Sequence, residues 1–358
     1  MPIFMDRHDV PDVTAEQVAQ LHQEDLKIQD QFSCRGLTYW FDSVRNTAFC
    51  LIEAPDMSAI QAMHDRAHGQ VPNRVIEVDA AIVESFLGRI EDPEKKGGTG
   101  LNIIDEPAFR IVMLVSLPYG MPSQWDAFNH AVRQLAGAHG GHIVRQSGNR
   151  IMLSFLSVSG AVHAAFDIHS RFDDLRSPLR NTVALKIGLS AGVPVTDKRS
   201  FFEDTIKLAE RMCKIVKGEI ILSSEVKELY DSENPRGLPR EKKAYCLTPM
   251  EERFLNSLMD FTESVWNDTK FKVDDLGKPV GCSKSQLYRK MMSLTGKSPN
   301  SFIRDYRLSE ALTLLHKSTK NISEVAYETG FTSPSYFSKC FHKQYGRNPS
   351  EYLAAMSS

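Results

Sequence analysis

Several common devices are missing from this chain. Its 358 residues contain no run of eighteen apolar side chains, so no segment is predicted to cross a membrane as a helix. The first residues, MPIFMDRHDV, lack the basic and apolar stretches of a secretory signal, and a cytoplasmic location with no membrane contact is expected. The six cysteines, at 34, 50, 213, 246, 282 and 340, include no C-x-x-C pair, which speaks against a disulfide framework and against a zinc knuckle. Charge of one sign is also scarce: 43 basic residues against 45 acidic ones leave a net charge of −2. Bulk electrostatics therefore marks no partner.

The chain is long enough for two or three domains. Two stretches rich in Gly, Pro and charge, Glu91–Gly100 and Asp231–Arg240, read as linkers. The expected division is 1–90, a linker 91–106, 107–230, a linker 231–250, and 251–358.

The last part says the same thing twice. Ser285-Gln-Leu-Tyr-Arg-Lys-Met291 aligns with Ser335-Tyr-Phe-Ser-Lys-Cys-Phe341, and Gly296-Lys-Ser-Pro299 with Gly346-Arg-Asn-Pro349, at a constant offset of 50 residues. Upstream, Val273–Leu276 matches Ile322–Val325 and Gly281 matches Gly330 at an offset of 49. Each copy is a short helix, a Gly-centred turn and a second helix, the plan of a helix-turn-helix module. Leu287, Met291 and Leu294, like Phe337, Phe341 and Tyr345, recur at helical spacing and give each long helix one buried stripe. Ser283 and Ser333 stand where an N-cap is needed, and Pro334 at the first helical position. Gly296 and Gly346 suit left-handed C-caps. Phe302–Leu315 reads as a connecting helix.

The faces left over are polar: Lys284, Gln286, Arg289 and Lys290 in the first copy, Ser333, Ser335, Tyr336, Lys339, His342 and Lys343 in the second. A lone charge run is usually a solvated surface. Here the face recurs in both copies at the position that would enter a DNA groove, so these residues are the candidate DNA contacts. From Glu251 on there are 15 basic against 12 acidic residues, and before it 28 against 33. The reader is thus weakly basic and the body weakly acidic.

Residues from about 255 to 353 resemble the DNA-binding domain of the AraC/XylS transcription regulators, on the motifs SQLYRKMMSLTGKSPNSFIRDYRL and ISEVAYETGFTSPSYFSKCFHKQYGRNPSEYL. The resemblance implies two recognition helices, roughly Ser283–Ser293 and Ser333–Tyr345, in adjacent major-groove faces of an operator. Operator DNA and RNA polymerase would be the partners. Gly277-Lys-Pro279 departs from the pattern where the first copy's short helix would run, so that module is expected to be the looser one.

Residues 1–90 read β-α-β-β-α-β, the order of a ferredoxin-like sandwich. The expected elements are Pro2–Met5, Val13–Phe32, a hairpin of Leu37–Phe41 and Thr47–Ile52, Met57–His68, and Arg74–Val78. His64 and His68, four apart on one helix, can present both imidazoles to a single divalent ion. His8 and His22 join them as candidate ligands, with Asp25 on the same helix as His22 and Tyr39 and Cys50 on facing strands. The alternative is a dimerisation module whose histidines serve as hydrogen-bonding groups. The segment RGLTYWFDSVRNTAFCLIEAPDMSAIQAMHDRAHG is similar to a small family of nickel-binding domains (DUF4242), which implies a divalent transition metal: Ni, Co or Zn.

Residues 107–230 alternate strand and helix, with a last helix expected to be capped by Ser224. The phrases GGHIVRQSGNRIMLSF, LKIGLSAGVPV and DTIKLAERMCKIVKGEIILSSEVKELY are similar to the class III adenylate/guanylate cyclase domain. That family needs two carboxylates to hold two metal ions over a triphosphate. The matching positions here are Ser116 and Asn149, and neither supplies the charge. Its Asn-x-x-x-Arg pair falls on Lys207 and Arg211. The resemblance therefore implies a pseudo-cyclase kept for pairing or ligand sensing, with Asp204 and Arg211 as candidate nucleotide contacts.

The fold expected is thus multidomain α+β and all-α: a ferredoxin-like sandwich, a cyclase-like α/β sandwich, then an all-helical double helix-turn-helix domain. The function expected is a sequence-specific regulator of AraC type, not an enzyme, controlled by a metal or small ligand and acting as a homodimer. The competing expectation is a nucleotidyl cyclase or nucleotide-binding regulator fused to a DNA-binding domain.

Overall fold

The computed structural model describes residues 1–93, 100–117, 122–175, 184–239, 243–317 and 320–354. They divide into two compact units, Met1–Lys214 with Gly218–Cys246, and Ile215–Lys217 with Leu247–Ser358. The two folds expected as separate N-terminal domains thus share one unit. No helix of the described residues is long and apolar enough to cross a membrane.

The first fold runs β1 (Ile3–Asp9), α1 (Ala15–Ile28), β2 (Arg35–Asp42), β3 (Thr47–Glu53), α2 (Met57–Ala67) and β4 (Arg74–Val78). Its sheet has the order β2-β3-β1-β4, antiparallel throughout. Thr14 and Gln17 form a reciprocal capping box that starts α1, and the Asp56 carboxylate accepts from Ala59 N to start α2. Side chains alternate across each strand. Phe4, Tyr39, Phe41, Ala48, Cys50 and Ile52 face the helices and pack with Val18, Ala19, Ile60 and Met63.

β1 continues through Asp6–Asp9 instead of ending at Met5, and two of those residues, Asp6 and His8, are held inside the fold. Asp6 and His8 follow Phe4 on the helix-facing side and are buried. The opposite side carries Met5, Trp40, Phe49, Leu51 and Ile76, also buried. On that side Arg7 donates to the Val195 carbonyl at 3.3 Å, and Arg74 pairs with Asp197.

A helix that the sequence reading omitted, α3 (Ala80–Leu87), follows with Asp79 as its N-cap. It leads into the second fold. Phe86 stacks on Phe202 at 4.9 Å between centroids. The buried Arg110 guanidinium donates from Nε to Phe86 O at 3.1 Å and from Nη1 to Pro107 O at 2.6 Å. The described part of the expected linker is not free chain: Phe41 N donates to Glu106 O at 3.0 Å, and Ile104 is buried in the first core.

The second fold comprises β5 (Arg110–Ser116), α4 (Pro122–Ala138), β6 (Gly141–Ser147), β7 (Arg150–Phe155), α5 (Val158–Leu175), β8 (Lys186–Gly192), α6 (Glu203–Ile215), β9 (Ile220–Leu222), α7 (Ser224–Glu233) and β10 (Tyr245–Cys246). The sheet order is β10-β9-β8-β5-β7-β6. Within it, β5 to β8 repeat the β-α-β-β-α-β course and strand order of the first fold. Helices α4, α5 and α7 bury Val132, Phe166 and Val226 against one face. α6 lies across the other, where a Cβ on Gly188 would come within 2.9 Å of the Ala209 carbonyl. The cap of α7 is Ser223, not Ser224: its hydroxyl accepts from Val226 N.

The second unit is helical: α8 (Pro249–Val265), a 3-10 turn at Val273–Gly277, α9 (Lys284–Thr295), α10 (Pro299–Lys317), α11 (Ile322–Glu328), α12 (Pro334–Tyr345) and α13 (Pro349–Ala354). The two copies differ as their sequences do. The second has the α-helix α11, and the first has the 3-10 turn in its place. Gly277 has a packing reason there, since a Cβ would sit 2.6 Å from the Cys282 carbonyl.

Candidate metal centre and nucleic-acid interface

Helices α1 and α2 each place titratable groups on their buried stripes. Val18, Ala19, His22 and Asp25 are the buried residues of α1, and Ile60, Met63 and His64 those of α2. Asp6 and His8 come from β1 beneath them. The result is a cluster between sheet and helices. His64 Nε2 lies 2.9 Å from Asp6 Oδ2, and His64 Nδ1 lies 3.1 Å from Asp25 Oδ1. His68 Nε2 lies 3.2 Å from the same Asp25 oxygen and 3.4 Å from His64 Nδ1. His8 Nε2 is 3.4 Å from Asp6 Oδ1, whose other tie is the Cys50 N–H at 2.9 Å.

Charge settles the resting state. Burial opposes ionisation of Asp6, yet the imidazoles of His8 and His64 against it hold its carboxyl well below the usual range. Asp25 is lowered in the same way, against burial, by His64 and His68. His64, between the two carboxylates, is pushed up to about 10 although burial works against its charge. At neutral pH it is an imidazolium donating from both nitrogens.

The same atoms suit a cation. One ion with donors at about 2.1 Å, set about 90–110° apart, has neighbouring donors about 3.0–3.4 Å from each other. Asp25 Oδ1, His64 Nδ1 and His68 Nε2 form a triangle with edges of 3.1, 3.2 and 3.4 Å. Asp6 then stands behind His64, the carboxylate partner that a ligating imidazole ordinarily keeps. Asp6, His8 and His64 form a second grouping of donors. Within the cluster, His8 Nε2 and Asp25 Oδ1 are buried with no hydrogen bond of good geometry. Buried polar atoms left that way are ones that an ion or water can satisfy. Imidazole and carboxylate together suit a divalent first-row metal.

Of the six residues expected as ligands, the structure brings His8, His64 and His68 together. His22 faces elsewhere, with Nε2 3.5 Å from Asp92 and its ring 5.0 Å from that of Tyr39. Tyr39 and Cys50 do not join the set. The Tyr39 hydroxyl donates to Asn102 O at 2.8 Å and accepts from Ile104 N at 2.9 Å, and burial pushes its pKa up to about 12. Burial and the charge of Asp6 raise the Cys50 thiol well above its ordinary value, so it is not a ready thiolate. Asp6 was absent from the expected ligand set, and Asp25, named there only beside His22 on the other helix, joins His64 and His68. The signal for Asp6 was its alternation with Phe4 and His8 on one strand face.

In the helical unit both long helices start and end as expected. Ser283 accepts from Gln286 N, Ser333 accepts from Tyr336 N, and Gly296 and Gly346 cap at φ 71° and 72°. Leu287, Met291 and Leu294, with Phe337 and Phe341, are buried. Arg289, Lys290, Ser335, Tyr336, Lys339, His342 and Lys343 are exposed. Several candidates are engaged within the fold, among them Lys290, whose ammonium lies 5.3 Å from the Phe254 ring. The Gln286 amide oxygen accepts from Ser283 N at 3.0 Å, Lys284 pairs with Asp274 at 2.6 Å, and Ser333 is the cap itself.

In the second fold, Ser116 pairs with Arg150 across β5 and β7, and the Asn149 amide donates to the Leu117 carbonyl. Asp204 accepts from the Thr196 hydroxyl at 2.9 Å, which ties down the loop before α6. Arg211 is buried on α6.

Residues 276–355 match the family model of a helix-turn-helix domain, and residues 4–78 match that of the nickel responsive protein SCO4226-like. Histidine kinase P4 of Formosa agariphila is 35% identical over 106 residues, 30% of this chain and 8% of that protein. The HTH-type transcriptional regulator MtrA of Neisseria gonorrhoeae is 33% identical over 98 residues, 27% of this chain and 31% of that protein. Among solved structures, SCO4226 from Streptomyces coelicolor A3(2) is 34% identical, with 21% of this chain and 94% of that one covered, at a TM-score of 0.21. The chain thus spans less than a third of the length of these two curated relatives.

Proposed function

Because the chain carries an AraC-type helix-turn-helix domain at one end and an SCO4226-like nickel-responsive domain at the other, we propose that it is a metal-responsive, sequence-specific transcription regulator. The observation that carries the DNA reading is the duplication itself. Two N-capped, Gly-terminated helices each bury one stripe and turn a second, polar face to solvent. Arg289, Lys290, Ser335, Tyr336, Lys339, His342 and Lys343 make the DNA contacts, while Lys284, Gln286 and Ser333 hold the helix starts.

The first fold, in its ferredoxin-like strand order, is the sensor. Asp25, His64 and His68 hold a divalent cation such as Ni²⁺, with Asp6 orienting His64 from behind and His8 beside it. Bound there, the ion supplies the positive charge that the His64 proton supplies in its absence. The second fold is a cyclase-like sandwich without the two carboxylates that metal-assisted phosphoryl chemistry needs. It is non-catalytic and serves pairing of two copies or small-ligand binding. The regulator acts in the cytoplasm as a homodimer, alongside RNA polymerase.

The test uses duplexes enriched by the full chain from a randomised pool, titrated by gel shift with Ni²⁺ or with a chelator. A sequence-specific complex whose affinity moves at least about tenfold with Ni²⁺ supports the reading. Equal affinity with and without the metal removes the sensor. Failure to enrich any sequence removes the regulator.

A further inference from the structure

Two recognition helices can read one duplex together only if the distance and angle between them are fixed, because groove contacts tolerate little displacement. Both modules are built on α10. Its first half carries the buried Phe302, Ile303 and Tyr306, with Tyr306 6.1 Å from Trp266 ring to ring. Its second half supplies Leu308, Ala311, Leu312 and Leu315 to the core shared with α11 and α12.

Arg307 stands at the changeover. Its Nε donates to the Trp266 carbonyl at 2.6 Å and its Nη2 to the Asp268 carbonyl at 2.8 Å, both at the end of α8 in the first module. Its Nη1 donates to the Gly330 carbonyl at 2.8 Å, in the turn between α11 and α12. Gly330 is left-handed at φ +80°, and a Cβ there would lie 2.8 Å from the guanidinium carbon and 2.9 Å from the Trp266 carbonyl. The turn of one module is therefore pressed onto the end of the other, with the guanidinium between them.

We propose that Arg307 is the positioning residue that sets the separation of the two recognition helices, and so the number of base pairs between the two boxes read on one duplex. This rests on the DNA-reading function argued above. The planar fork makes three bonds in fixed directions to main-chain acceptors from both modules, which an ammonium on a flexible stem cannot reproduce. α10 by itself joins the two modules as one continuous helix, Pro299–Lys317. The clamp adds ties on either side of it.

The experiment takes duplexes of about 30 base pairs enriched by the full wild-type chain, in which footprinting marks two boxes. One base pair is then inserted or removed between the boxes. Wild type should lose about 30-fold or more in affinity on either change. Arg307→Lys and Arg307→Ala should keep the base preferences within each box, yet bind the three spacings within about threefold of one another. If Arg307→Lys weakens all spacings equally and keeps the wild-type ratio, the residue merely stabilises the fold and the proposal is overturned. Should Arg307→Ala lose its helical circular dichroism, Arg307→Lys decides alone. If wild type enriches no sequence, the DNA reading fails first and the clamp with it.

Discussion

His64 Nε2 lies 2.9 Å from Asp6 Oδ2, and the two side chains are only 1% and 0% exposed. A buried pair of this kind costs desolvation on both sides and is maintained only while both charges persist.

The pair makes stability depend on pH in both directions. Asp6 titrates lower folded than its ordinary 3.8, so its contribution is present above that value and is lost as pH falls through the folded one. His64 titrates at about 10 when folded against an ordinary 6.5, so its contribution is complete below 6.5 and drains away as pH rises toward 10. Chelator-treated protein should therefore melt highest between about pH 4 and 6.5 and several degrees lower at pH 9. Asp6→Asn should flatten the alkaline side of that profile. A melting temperature at pH 9 equal to that at pH 6 would count against the buried ion pair.

A metal must displace the His64 proton. Nickel affinity should rise with pH between 6 and 9, with close to one proton released per ion. Calorimetry in two buffers of different ionisation enthalpy measures that release. His64→Ala and His68→Ala should each weaken binding by about 100-fold, and Asp6→Asn, acting through His64, by about 10–100-fold. Unchanged affinity in both histidine variants would remove the site.

Tyr39 and Cys50 separate the geometry from the sequence expectation. Tyr39→Phe and Cys50→Ser should leave nickel affinity within about twofold. Tyr39→Phe should still cost about 1–2 kcal/mol of stability, because Asn102 O and Ile104 N both lose a buried partner. A tenfold loss of nickel affinity in either variant would return these residues to the ligand set.

On the DNA side, Lys339→Ala and Lys343→Ala should weaken binding on all enriched sequences alike. Each should lower the slope of log affinity against log salt by about 1. Gln286→Ala should act differently, lowering the melting temperature by loss of its capping box, about 0.5–1 kcal/mol, with little change in base preference. Altered base preference with unchanged melting would show that Gln286 reads DNA rather than capping the helix.

The helical unit was legible because its signals are local. A serine cap, an apolar stripe and a terminal glycine lie within a dozen residues, and the chain states them twice. Arg307 escaped notice because its three acceptors are main-chain carbonyls 41, 39 and 23 residues away, which no side-chain pattern records. In the metal cluster His64 and His68 were readable from their spacing. Asp6 was not, because a charged residue ordinarily ends a strand, and only the tertiary fold reveals that β1 carries charge inward. The helix α3 was missed because a stretch of eight residues with Ala, Ile, Val, Phe and Leu has no periodicity that separates helix from strand.

The second face of the first sheet bears on portability. Met5, Phe49, Leu51 and Ile76 are buried on the face from which Arg7 and Arg74 reach Val195 and Asp197, and a chain cut after residue 90 would lose those partners. The proposed sensor is therefore not a detachable cartridge. Grafting it onto another reader would mean carrying everything up to Cys246.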